Sequence, residues 1–527
     1  MTKKILFLII IVGFLVRFIN INNYPPLLWD EASLGYNAYS ILKTGKDEYG
    51  QFLPLIFKSF GDYKPGLYVY LTVPFVALFG LNPLAVRLPS VILGSLLPLL
   101  VYLLIIKLSP KSKSLALIAA ALIAFNPWNI HYSRGAWETN ILLFELILGS
   151  ILYIDKKLLF SSLLFAATLY TYQGGKIVTP ILILALLIFF HTGIKLKQHI
   201  LKFVIPILFL SLPIIYGLLF SHNSNRLQVF GLWNYRQPQT EVQQMIKESG
   251  YLDYYIFHSP LVNFSRNFFT RYFNYFSPKF LTFEGDWQIG RQSAPYIGVF
   301  LYPTLFFFII GLFSSVINKP KRDTLFFLFL LLTGPLPGAL TIDLIQPVRT
   351  LFLTIPILYF ASVGIIDTVN RYRSLFLKSL IFFAYLLSFI YYSDLYFNHM
   401  VLVKPDNWLY GYQSAMTYVL NNSQNKTVYF SDYFGQPYIY YLFQTRYDPA
   451  KYQSQANLIT NGLDTGKVAQ IDNFIWQAAD FASSKSKPGR LLIYNYGDLV
   501  GQVIDPKLLI PLSPINGHSS FYAYQTP

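Results

Sequence analysis

The sequence predicts an α-helical polytopic membrane protein that carries a small soluble α/β domain at its C-terminal end. Three observations predict it. Charged residues make up only 13% of the 527 residues, about half the share of a soluble globular chain, so most of the surface cannot face water. Apolar runs long enough to cross a bilayer core, about 18 residues or more, recur over the first 400 residues. The remainder is different in kind: its apolar runs are short (TVYFSD, YIYYLF, RLLIYN) and alternate with helix-like polar stretches such as YQSAMTYVLNNSQ. The predicted division is a transmembrane part over 1–400 and a soluble domain over 401–527.

Apolar length places about eleven spans, near residues 5–20, 87–107, 114–130, 138–155, 158–173, 175–191, 201–220, 296–317, 324–341, 348–367 and 379–397. The basic start of MTKKILFLIIIVGFLVRFIN has no small-residue cleavage site after it and reads as a retained first helix. The basic clusters are Lys3-Lys4, Lys107/Lys111/Lys113, Lys156-Lys157, Lys195/Lys197/Lys202, Lys319/Lys321/Arg322 and Arg371/Arg373/Lys378. With eleven spans all of them fall on one side, the cytoplasmic one, so the net charge of +16 reads as positive-inside loops and not as a nucleic-acid surface. Residues 66–80, GLYVYLTVPFVALFG, are apolar but short and interrupted by Pro74, and read as an interfacial helix near the outer surface. Counting them as a span would push every later basic cluster outside.

This topology puts loops 20–65, 130–138 and 221–295, with the tail, on the extracytoplasmic side of the membrane and the N-terminus in the cytoplasm. Candidate chemistry collects in those loops. Asp30-Glu31 follow an apolar flank in YPPLLWDEASLGYNAYS, where Asp30 could cap a helix and also act as a base. Ala32, Tyr36, Tyr39 and Leu42 then recur at near-helical spacing, as in an amphipathic interfacial helix. Lys64-Pro65, with Tyr63 before them, lie where the chain re-enters the interface, and a lysine there can pair with a lipid phosphate. NPWNIHYSRGAWETN brings His131, Arg134 and Glu138 to the outer start of a helix, a set suited to acid–base work and phosphate binding. For His131, aromatic packing or headgroup contact is the simpler reading. Arg87 begins the second span and Arg349 enters the tenth from outside; each is open to phosphate binding or to anchoring its helix. Asp286, Trp287 and Arg291 in FEGDWQIGRQSAPYIG could cradle a sugar or lipid.

Several classes find no support. No P-loop, dinucleotide fingerprint, HExxH or GxSxG is present, and no DxD for the metal of a nucleotide-sugar. With no cysteine there is no disulfide, thiolate metal site or cysteine nucleophile, and nothing demands a divalent metal or other cofactor. An enzyme on the outer face needs a donor that crosses the membrane, and a lipid carrier meets that need.

The ordered set WDEA, YKPGLYVYL, LNPLAVRLPSVILGSLLPLLVYLL and HYSRGAWETNILL resembles the GT-C glycosyltransferases. The likeness is to the group that holds protein O-mannosyltransferases and lipid A aminoarabinose transferases, and it covers about residues 1–190. It implies a polyprenyl-phosphate sugar donor, an extracytoplasmic active site, catalytic roles for Asp30 and Glu31, and a second carboxylate at Glu138. The group's KPP motif maps to Lys64-Pro65, whose lysine is implied to meet the donor phosphate; Gly66 stands where the second proline would be. Arg87 falls in the RLPS motif, where a structural role is open. The expected function is transfer of a sugar to an acceptor hydroxyl on a protein, lipid A or a polysaccharide. The alternatives are a flippase or transporter for a lipid-linked glycan, which would need charges deep in the spans, and a non-catalytic glycan-binding protein.

Overall fold

A backbone out of water must satisfy its own N–H and C=O groups, and a helix does so within one segment. The computed structural model of the chain follows that rule. It describes residues 2–526 apart from 111, 192, 194, 221–230, 235–237, 318–319, 461–465, 516 and 518, so Lys111, Lys319 and part of loop 221–295 lie outside the described residues. The elements in order are α1 (Thr2–Phe18), α2 (Trp29–Thr44), a hairpin of β1 (Ile56–Ser59) and β2 (Asp62–Pro65), α3 (Leu67–Phe79), α4 (Pro83–Leu108), α5 (Lys113–Ala124), α6 (Pro127–Ser133), α7 (Glu138–Ile154), α8 (Leu158–Thr171) and α9 (Gly175–Phe190). Four helices among the described residues are long and apolar enough to cross a membrane: Pro83–Leu108, Leu196–Gly217, Pro347–Tyr372 and Leu375–Val403. Leu67–Phe79, Leu158–Thr171, Gly175–Phe190 and Tyr302–Ile317 are shorter apolar helices.

Two expected spans change form. The stretch expected as 114–130 bends by 55° between α5 and α6. Pro127 has no N–H to continue the helix and its ring crowds the preceding turn, so the chain restarts there, with Asn126 Oδ1 accepting from Asn129 N at 3.0 Å. The stretch expected as 324–341 is a helix over Arg322–Thr333 that breaks at Gly334-Pro335 and resumes only as the short helix Leu336–Ala339.

The contacts divide the chain into two units, and they do not follow the division at residue 400. The first holds Met1–Val16, Leu93–Ser133 and Trp137–Tyr396; the second holds Arg17–Ile92, Arg134–Ala136 and Phe397–Pro527. The first unit is the apolar helical body. Its closest approach pairs Tyr302–Ile317 with Pro347–Tyr372. A Cβ on Gly311 would sit 1.8 Å from the Phe360 carbonyl oxygen, and one on Gly364 would sit 2.0 Å from that of Phe307. Small residues that let two backbones touch are the usual device of helix packing in lipid, where burial from water supplies no drive.

In the second unit the tail forms a six-stranded sheet, in the order 470–471, 474–475, 427–430, 490–495, 521–525, 510–512, with strand 427–430 parallel to both 474–475 and 490–495. Helix α2 packs into this unit. Tyr440 of helix Pro437–Thr445 donates to the Leu27 carbonyl at 3.0 Å, and Tyr36 donates to the Tyr447 carbonyl at 3.2 Å. A Cβ on Gly35 would lie 2.6 Å from Val86 Cγ2 and 2.7 Å from Phe443 Cε2, so glycine is what lets the helices close. This corrects the reading of α2 as an interfacial helix with one apolar face. Residues 31–38 are all buried, and only Leu42 of the expected stripe is exposed. The tail's tyrosine-rich helices cover the face expected to meet lipid.

Candidate functional site

The first turn of α2 carries the acid pair and sends its two members to different places. Leu28 occupies the cap position and has no side-chain acceptor, so Glu31, not Asp30, closes the helix start by accepting from Leu28 N at 3.2 Å. Glu31 is buried and receives Arg87 in a two-pronged pair, Nε to Oε1 at 2.8 Å and Nη2 to Oε2 at 2.6 Å. Ala136 N adds a third donor to Oε1 at 2.9 Å. The rest of the Arg87 guanidinium goes to the carbonyls of Ile21 at 2.8 Å and Pro26 at 3.2 Å. A buried charge pair is tolerated only when its remaining lone pairs and protons are filled in this way.

Asp30 turns outward. Its side chain is 39% exposed and is ion-paired with Lys64, itself 15% exposed. Lys64 reaches it from β2. The β1–β2 hairpin turns on two residues with positive φ, Phe60 at 55° and Gly61 at 97°, the backbone that a two-residue hairpin loop requires. Lys64 Nζ also lies 5.7 Å from the centre of the Phe60 ring. Gly66 has a local reason to replace proline: its N–H donates to the Leu55 carbonyl at 3.0 Å, and a Cβ there would sit 2.5 Å from the Phe57 ring. Proline has no such N–H.

Other expected residues take structural positions. The phosphate roles expected of Arg87 and Arg134 do not fit: both side chains are wholly buried, and Arg134 donates to the carbonyls of Arg17 at 3.0 Å and Tyr24 at 3.2 Å while stacking 4.7 Å from Phe397. Tyr36, expected as a substrate contact, is buried with its hydroxyl on a carbonyl, and burial pushes its phenol far above the ordinary range. Tyr63 remains half-buried beside Lys64 in β2.

In the first unit, Glu138 is half-buried in the first turn of α7, two residues along the chain from Ala136. His131 is buried among Tyr132, Trp137 and Tyr396, the aromatic packing that was the simpler reading. Asp286, expected to meet a sugar, spends its carboxylate on its own loop. It accepts from the backbone N–H groups of Gln288, Ile289, Gly290 and Gln292 at 2.8–3.2 Å. That fixes the loop carrying Trp287, which has Lys279 Nζ 4.7 Å over its ring, and the half-buried Arg291. Arg349 pairs with Asp343 at 2.7 Å and donates to Thr341 at 2.6 Å, with 17% of its side chain exposed. No group of three or more His, Cys, Asp or Glu side chains that could hold a metal occurs among the described residues.

The sequence reading missed Asp47 and Glu48, both wholly buried in the loop between α2 and the hairpin. The signal was a second adjacent acid pair, KDEY, in the same loop as the first.

Residues 7–221 match the family described as dolichyl-phosphate-mannose-protein mannosyltransferase. No curated protein matches the chain by sequence. Among solved structures it is similar to ArnT from Cupriavidus metallidurans. The apo form is 12% identical with a TM-score of 0.56, and the match covers 98% of this chain and 97% of that one. The form bound to undecaprenyl phosphate is 12% identical with a TM-score of 0.52 and the same coverage. It also matches the apo oligosaccharyltransferase of Archaeoglobus fulgidus at 13% identity and a TM-score of 0.48; 84% of this chain is covered and it spans 63% of that one. The fold is that of the GT-C glycosyltransferases, and the chain resembles the group of protein O-mannosyltransferases and lipid A aminoarabinose transferases.

Proposed function

We propose that the protein moves a sugar from a polyprenyl-phosphate donor to an acceptor hydroxyl on the extracytoplasmic face of the plasma membrane. The observation that carries this is the outward-facing Asp30–Lys64 pair on a turn fixed by the buried Glu31–Arg87 pair. It supplies a carboxylate and an ammonium side by side on rigid elements. The match of residues 7–221 and the fold of a protein bound to undecaprenyl phosphate support the donor class. The one-sided distribution of basic clusters supports the face and the eleven-span topology.

In this mechanism Lys64 exchanges Asp30 for the donor phosphate, and the apolar α3 that follows the hairpin lies along the lipid. The acceptor oxygen attacks C1 of the sugar as Asp30 takes its proton. The C1–O bond to phosphate breaks and polyprenyl phosphate leaves with the electron pair. Lys64 stabilises the charge that grows on the leaving oxygen, which is where fixed cations contribute most. Glu31 acts by holding the turn. Tyr63, next to Lys64 in β2, supplies a further polar contact to the donor.

The test is release of free polyprenyl phosphate by the purified protein from a panel of polyprenyl-phosphate sugars with mixed acceptors, beside Asp30→Asn and Lys64→Ala. Release from one donor, lost in Asp30→Asn, is the expected result and names the sugar. Transbilayer movement of a lipid-linked glycan in liposomes, with no release from any donor, would overturn the reading.

A further inference from the structure

Glu48 has no role in the scheme above, yet it is wholly buried between the two elements that carry the acting pair. Its Oε1 accepts from Asn37 Nδ2 at 2.9 Å, and its own N–H donates to Asn37 Oδ1 at 3.0 Å. Asn37 is on α2, two turns beyond Asp30, and its Nδ2 also reaches the Ser33 carbonyl at 3.0 Å. The Ser33 hydroxyl pairs with Ser59 Oγ at 3.2 Å, and Ser59 ends the strand that precedes the one holding Lys64. Asn37 Nδ2 also lies 3.5 Å from the Ser33 hydroxyl, which joins that hydroxyl to the same network. One buried side chain therefore joins a network from the Asp30 helix to the Lys64 hairpin. Such a network loses more than one bond when a member is removed.

We propose that Glu48 is a positioning residue for the transfer, clasping α2 to the hairpin through Asn37, Ser33 and Ser59 so that Lys64 can pass from Asp30 to the donor phosphate. The inference rests on the roles proposed above for Asp30 and Lys64.

The clasp works as an uncharged acid. Burial pushes the Glu48 carboxyl up to about 8; Asp47 raises it further, while Asn37, Ser33 and Lys64 oppose the shift. Asp47 is itself raised by burial. The other titratable groups that face Glu48 are Tyr36 on α2, Tyr49 in the same turn, and Tyr438 and Tyr452 on the tail helices. Burial pushes all four phenols up, so they stay neutral, and Lys64 is the cation that acts on Glu48. A carboxylate formed at Glu48 would compete with Asp30 for the Lys64 ammonium, so activity should fall as pH rises through about 8. Stability follows the same group. Its folded value lies above the unfolded one of about 4.3, so its contribution is full below about 4.3 and is lost as pH rises towards the folded value.

The experiment compares full-length wild type, Glu48→Gln and Glu48→Ala for polyprenyl-phosphate release and melting temperature across neutral and alkaline pH. Glutamine stands in for the neutral acid. Glu48→Gln should keep turnover within about threefold of wild type at neutral pH and lack the alkaline fall, while Glu48→Ala loses about tenfold or more in kcat, the size of effect expected from a misplaced reacting group. Glu48→Gln dropping as far as Glu48→Ala, an alkaline fall that persists in Glu48→Gln, or full turnover in Glu48→Ala overturns the inference. Melting temperature separates this from failure of the proposed reaction. Even with no donor turned over, the fall in melting temperature as pH rises from about 5 to about 8 should be smaller in Glu48→Gln than in wild type, the remainder coming from other buried carboxyls such as Asp47. An equal fall in both would sink the clasp on its own.

Discussion

Asp30 and Glu31 are neighbours in sequence and opposites in environment. Glu31 is buried against a fully buried arginine and four further hydrogen-bonded groups complete the pair. Asp30 is 39% exposed and pairs with a lysine on a hairpin. The α-helix explains the split, because consecutive residues point about 100° apart around its axis. What the difference teaches is a division of labour. A group whose every lone pair is occupied inside the protein can hold a site together but cannot exchange partners with a substrate. A group at the surface, paired with a long flexible side chain, can.

The largest expected effect breaks the open pair. Asp30→Asn keeps the shape and removes the base, so turnover should fall about 10²–10⁴-fold, the usual contribution of a positioned base, with a small drop in melting temperature. Retained turnover would remove Asp30 from the base role. Arg87→Ala attacks the other pair and should act on folding instead. It leaves Glu31 buried without its counter-charge, at a cost of about 3–5 kcal/mol. Yield and melting temperature of the purified protein should drop, and Arg87→Lys should not restore them, since one ammonium cannot supply the fork that holds both oxygens. A stable, inactive Arg87→Ala protein beside a destabilised Asp30→Asn would invert the comparison.

Much of the site was legible because its motifs are local. WDEA and YKPG each lie within a few residues, and a carboxylate pair or a lysine at the end of an apolar stretch is visible without a fold. Which acid is structural was not legible. The deciding partner, Arg87, is 56 residues away, and Ala136 is 105 away. The burial of α2 was hidden for the same reason. Its tyrosine and alanine stripe suits a membrane surface as well as a protein core, and the helix that covers it begins at Pro437. Glu48 carries no mark of burial in the sequence; its burial and its bonds with Asn37, eleven residues back in the chain, emerge only in the fold. Length and hydropathy found the apolar helices, but the break at Pro127 and the early end at Thr333 depend on prolines that hydropathy does not weigh.

Gly66 offers a finer test of the open side. Gly66→Pro would restore the group's motif, yet it removes a backbone hydrogen bond to Leu55 and puts ring atoms against Phe57. Stability should fall by about 1–3 kcal/mol, from the lost backbone hydrogen bond and the local crowding. The Michaelis constant for the donor should rise, because the displaced residue lies two positions after Lys64. An unchanged protein would mean that the hairpin tolerates the motif and that the glycine is not needed there.

The smallest effect belongs to a third ion pair, Lys279–Glu284, at 3.3 Å with side chains 49% and 52% exposed. Glu284→Gln should change stability by about 0–1 kcal/mol, since water and salt screen an exposed pair and ordering two long side chains costs entropy. The three pairs then form a series in which stability follows burial: Glu31–Arg87 first, Asp30–Lys64 next, Lys279–Glu284 last. Turnover should follow a different order, with the middle pair first. Measuring melting temperature and turnover on one charge-removing variant of each pair distinguishes the two orders. If turnover merely tracked melting temperature across all three, the acid pair would have no chemical member, and the separate roles given to Asp30 and Glu31 would collapse into one structural role.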